Sequence, residues 1–121
     1  MKDKTTLRII LPYMPINWNE YINAERRNLY IANNIKQKEK NIVKLATIGK
    51  KYTGNYPISL TIYPHFKNKR SDLDNVKIKG AVDGLVSAGV IKNDNLNCIQ
   101  ELHFYPIFDS QDILEIEIKE L

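Results

Sequence analysis

The chain has 121 residues, of which 43% are hydrophobic and 26% charged, with a formal net charge of +4, one cysteine and two histidines. That length predicts a single domain over 1–121 and leaves no room for two ordinary ones. No apolar run nears the roughly 20 residues that cross a bilayer, the charged start MKDKTTLRII lacks the apolar stretch of a secretory leader, and one cysteine excludes an internal disulfide framework and suits a reducing cytoplasm. Two histidines and one cysteine also fall short of the four nitrogen and sulfur ligands of an ordinary structural zinc site.

Charge is unevenly placed. Residues 1–70 carry fourteen Lys/Arg against four Asp/Glu, and residues 71–121 carry four against ten. A basic surface is the electrostatic footprint of a phosphate binder, though a merely solvated charged surface has the same composition. An acidic cluster in a phosphate binder would repel its ligand unless a divalent cation sits between them.

In chain order, LRIILP at 7–12 reads as a strand ended by Pro12, and 12–18 as a loop. From Trp18 or Asn19 to Ile48 there is neither proline nor glycine, and the apolar spacing predicts one long helix or two broken near Asn33–Asn34. PISLTIYPH at 57–65 alternates and is rich in β-branched residues, so it reads as a strand with Ile58, Leu60 and Ile62 on one face. A helix is predicted from Asn75 to Ala88, with Gly89 at its C′ position. KNDN at 92–95 is a turn, 97–107 a strand, and DILEIEIK at 112–119 a strand with one wet face. The order β-α-β-α-β-β predicts an α/β (α+β) domain, a mixed sheet flanked by two helices.

The informative stretch is KNKRSDLDN at 67–75, where Asp72 and Asp74 stand i, i+2 behind Lys67, Lys69 and Arg70, with Lys77 just beyond. One aspartate before a helix is explained as an N-cap; the second is not. Two carboxylates about 5 Å apart repel by roughly 3 kcal/mol at an effective dielectric of 20, and by less in water and salt. Asp94, in the turn after the helix, is a third acid. Should the three meet, they form an all-oxygen site of the kind that suits Mg2+ or Mn2+. Such a site supports phosphodiester hydrolysis, with Lys77 or Lys79 to stabilise the developing charge.

RSDLDNVKIKGAVDGLVSAGVIKNDN, residues 70–95, resembles the signature of the RusA family of Holliday junction resolvases: D-x-D-N, a following lysine, a helix carrying D-[AG]-L, then a glycine and an ND turn. The resemblance implies a small α/β homodimeric endodeoxyribonuclease of bacteria and their phages. Such enzymes bind four-way junction DNA and cut two strands symmetrically with Mg2+. The family's acids map onto Asp72, Asp74 and Asp94, and its helical aspartate onto Asp83. Its lysine maps onto Lys79 when counted back from Asp83, or near Lys77 when counted from Asp74. We favour Lys79, although Lys79 and Asp83 stand i, i+4 and also suit a plain helix-surface ion pair. Lys67, Lys69, Arg70 and Lys77 are then candidate contacts to the DNA backbone. Arg26, Arg27 and the lysines of the long helix, Lys36, Lys38, Lys40 and Lys44, form a second candidate face.

Other features carry less. Glu115, Glu117 and Lys119, with Asp109 and Asp112 upstream, echo the acid-lysine pattern of restriction-type nucleases, but strict strand alternation accounts for them. Tyr13 and Trp18 suit either core packing or stacking on an unpaired base. His65 and His103 have no neighbours at metal spacing, and Cys98 reads as a small buried residue.

Overall fold

The computed structural model describes residues 4–15, 17–67, 69 and 72–121. Five strands and three helices alternate as β1 (Thr6–Leu11), α1 (Trp18–Arg27), α2 (Leu29–Ala46), β2 (Ile58–Phe66), α3 (Lys79–Ser87), β3 (Ile99–Phe104), β4 (Ile107–Phe108) and β5 (Leu114–Glu120). The sheet order is β1-β5-β2-β3, with β4 also beside β2. β5 is antiparallel to both β1 and β2, whereas β3 and β4 run parallel to β2. The sheet is therefore mixed, as the alternation of strand and helix patterns predicts, with three helices where two are expected.

Period-two alternation builds the core. Ile9 pairs with Ile116 and Ile116 with Ile62; Leu7 pairs with Ile118 and Ile118 with Leu60. These apolar rows pack with Val43 of α2 and with Ala81, Val82 and Leu85 of α3. The residues between them face away from the helices, and Arg8, Ile10 and Lys119 stay exposed.

Two glycines set how closely α3 approaches α2. A Cβ on Gly84 would lie 2.7 Å from Val43 Cβ, and one on Gly80 would overlap the Glu39 carboxylate. Both contacts are tighter than any side chain accepts, so the helices meet backbone to side chain along the G-x-x-x-G row.

Element ends differ from the sequence expectation in three places. The helical break falls at Asn28, and α2 runs on through Asn33–Asn34. Asn28 is extended (φ −166°, ψ 114°); its backbone N–H donates to Ala24 O while its side chain accepts from Tyr30 N, so it ends one helix and starts the next. The third helix starts at Lys79 instead of Asn75. A 3-10 turn occupies Leu73–Asn75, and Val76 forms a bridge with Asn17 that holds the next residues out of the helix. The predicted strand at 97–107 divides at Tyr105–Pro106 into β3 and β4, because Pro106 has no N–H to donate. Gly89 does take the left-handed conformation, φ 77°, that follows a helix end. Among the described residues no helix is long and apolar enough to cross a membrane.

Candidate functional site

The bridge between Asn17 and Val76 joins the start of α1 to the segment leading into α3. It places Trp18, Lys77 and Lys79 side by side, and two clefts open there. One, about 260 Å³, has walls of Leu60, Ile78, Val82, Ile99 and Leu102, with Asp94 also in its lining. The other, about 480 Å³, carries Lys36, Lys40 and Lys77 with Tyr21 and Glu25. Trp18, Lys79 and Asp83 line both clefts and form the ridge between them.

The lysine-rich cleft rests on a buried ion pair. Lys77 Nζ lies 3.6 Å from Glu39 Oε2, with the two side chains 3% and 6% exposed. The ammonium also sits 4.4 Å from the centroid of the Tyr21 ring, a cation–π contact that helps a cation out of water. Glu39 Oε2 has no hydrogen-bond partner among the described residues. Burial pushes the Glu39 pKa above the ordinary carboxylate value, and Lys77 offsets part of that rise. Burial, and then the Glu39 charge, also pushes the Tyr13 hydroxyl up. Tyr13 packs against the core, which is the structural one of its two expected roles; Trp18 stands outside the core cluster.

At the ridge, Lys79 Nζ is 3.5 Å from Asp83 Oδ1, the i, i+4 pair anticipated from spacing, with Lys79 largely exposed. Asp94 lies in the exposed turn after α3, where Asn93 Oδ1 accepts from the Asp94 and Asn95 backbone N–H groups. Lys79, Asp83 and Asp94 therefore share one cleft, although ten residues of chain separate Asp83 from Asp94.

Asp72 and Asp74 are elsewhere. Both are exposed and line neither cleft. Asp72 stands at the start of the 3-10 turn without a side-chain capping hydrogen bond, so it does not serve as the predicted cap. Among the described residues no three His, Cys, Asp or Glu side chains gather as a metal-holding group. Asp72, Asp74 and Asp94 of one chain thus do not fit a three-carboxylate magnesium site by themselves. Lys77, expected among the surface cations, is buried because Val76 is pinned to Asn17 and Glu39 waits behind it. Lys67 and Lys69 are exposed beyond β2, with Lys69 Nζ 5.4 Å from the Phe108 centroid. Arg70 lies outside the described residues.

A second cluster occupies the sheet face away from the helices. His65, 5% exposed, places Nδ1 2.8 Å from Asp109 Oδ2 and Nε2 3.0 Å from Glu115 Oε1. Only an imidazole with a hydrogen on both nitrogens donates to both carboxylates. Arg8 adds an ion pair to Glu115 at 3.4 Å and lies 4.7 Å from the Tyr63 centroid. The acids of the E-I-E-I-K strand are thus partly committed to structural pairing. Sequence reasoning missed this network because its members are separated by 44 and 50 residues. It also missed Glu39, which reads as one more charge on a wet helix face.

No protein-family model matches this chain, and no curated protein shows significant similarity to it.

Proposed function

We propose that the chain is an endodeoxyribonuclease of the RusA type that acts as a homodimer on four-way DNA junctions. The observation that carries this reading is the meeting of Lys79, Asp83 and Asp94 at one cleft, beside a second cleft walled with lysines. A carboxylate and an ammonium at the mouth of a cationic channel are the groups needed to hold a phosphodiester and offset charge as it is cut. Lys79 exchanges Asp83 for a phosphate oxygen, and Lys67 and Lys69 hold the flanking backbone. Asp72 and Asp74 reach this site only if a second subunit or bound DNA brings them to it. The predicted Mg2+ requirement, with Mn2+ as substitute, therefore belongs to the assembled complex.

A non-catalytic DNA-binding module is the second reading, favoured by the lack of a gathered three-acid group among the described residues. A synthetic four-way junction separates the two. Paired nicks that need Mg2+, abolished in Asp94→Asn with junction binding retained, support resolution. Binding without cutting in either condition supports the module. Preferential cutting of flaps or single strands points to a structure-specific nuclease outside recombination.

A further inference from the structure

The lysine-walled cleft has features the cutting reaction does not use. Lys77 and Lys79 each have a carboxylate within ion-pair distance, whereas Lys36 and Lys40 have none among the described residues. Tyr21, 3% exposed, lines the cleft with a hydroxyl that makes no hydrogen bond among the described residues. The Lys36 ammonium lies 5.7 Å from the Tyr21 ring centroid, and the nearby hydroxyl raises its pKa. Trp18 is half-buried at the rim and stands edge-on to Tyr21, with centroids 6.4 Å apart. With Lys77 paired to Glu39 and Lys79 to Asp83, Lys36 and Lys40 face one further carboxylate of the lining, Glu25. The volume, about 480 Å³, is that of a small-ligand site and does not admit a duplex.

Cations without a carboxylate partner, a buried hydroxyl with spare capacity and an aromatic rim form the combination that recognises unpaired nucleic acid: charge for the backbone and a ring for the base. We propose that this cleft, between α1, α2 and the start of α3, takes one unpaired nucleotide of a DNA strand, with its phosphate on Lys36 and Lys40 and its base against Trp18. The inference rests on DNA being the substrate and specifies which part of it is held beside Lys79. An opened junction offers such a nucleotide; continuous duplex does not.

Trp18 is the one tryptophan of the chain, so its fluorescence reports on the rim directly. The full chain, without Mg2+, is titrated with an eight-residue oligothymidylate, an abasic strand of equal length, thymidine monophosphate and inorganic phosphate. We expect saturable quenching by the oligothymidylate, little by the abasic strand, and far weaker binding of the two small anions. Lys36→Ala with Lys40→Ala should weaken oligothymidylate binding about tenfold or more. Both lysines are at least partly exposed and lie outside the core, so the double variant keeps the fold. Absence of saturable quenching, equal quenching by the abasic strand, or no effect of the double variant overturns the proposal. Monophosphate binding as tightly as the strand overturns it in favour of a free-nucleotide site. Junction cutting is scored on the same preparations. Quenching without cutting sinks the nuclease alone, and cutting without quenching sinks this pocket alone.

Discussion

Lys77 shows how one side chain depends on the elements around it. A lysine reads as exposed from sequence, and nothing local marks this one as buried. Its burial follows from the bridge of Val76 to Asn17 and from a glycine, Gly80, small enough to let Glu39 lie against α3. Removing one partner of a buried pair leaves the other charge stranded, so Lys77→Ala should cost about 3–5 kcal/mol in urea unfolding. Lys79→Ala, largely exposed, should leave stability unchanged within about 0.5 kcal/mol while slowing junction cutting; equal stability loss in both variants would refute this division of roles. Glu39 adds a pH signature. Its folded pKa lies above the ordinary 4.5, so between 4.5 and the raised value the unfolded chain ionises while the native chain keeps its proton. Stability from this group is full below that window and falls as pH rises through it, by no more than about 1.4 kcal/mol per pH unit. Glu39→Gln has no carboxyl proton to gain or lose. The stability of the wild type relative to the variant should decline with rising pH across the window, which urea midpoints at a series of pH values would measure.

At the level of elements, the strands were the most legible. β5 alternates because one face is packed and the other wet, and the burial of Leu114, Ile116 and Ile118 follows that alternation. The helices were less so. Six asparagines lie within or between α1 and α2, yet only Asn28 has the extended backbone and the free side chain to cap. Its neighbours Asn33 and Asn34 are exposed on α2 and need no break. Composition cannot choose among identical residues when the deciding quantity is a dihedral angle. Asn28→Ala should cost about 1 kcal/mol through loss of the cap. The glycine row makes a sharper test. Gly84→Ala gains helix propensity but drives a methyl into Val43, so it should destabilise by about 1–3 kcal/mol. Val43→Ala in the same chain should recover part of that loss, a non-additivity that a double-mutant cycle in urea would reveal. Strictly additive losses would mean that the two residues do not meet.

For the whole molecule, the fold class followed from the order of patterns, but the site did not. The resemblance names Asp72, Asp74, Asp83, Asp94 and a lysine along one stretch of sequence. The fold gathers Lys79, Asp83 and Asp94 at one cleft and leaves Asp72 and Asp74 on an exposed turn. Sequence spacing gives candidates, whereas the bridge at Asn17, far from them in the chain, decides which share a cleft. The charge asymmetry also acts at this scale. With fourteen cations in residues 1–70, junction binding should weaken linearly in log–log plots against salt, with a slope near −0.9 per phosphate neutralised. A flat salt dependence, measured by gel shift from low to physiological salt, would remove the basic half as the DNA-contacting surface.

The position of β5 has a consequence for how the protein comes to exist. This strand, residues 114–120, lies between β1 and β2 and supplies the pairing for both. During synthesis β1 emerges more than a hundred residues before its partner. A nascent chain stalled at residue 110 on the ribosome would hold two apolar strands with the slot between them vacant, open to any passing edge. Of the described strands, β5 is the last in chain order and completes the sheet, so assembly of the core waits for it to leave the exit tunnel.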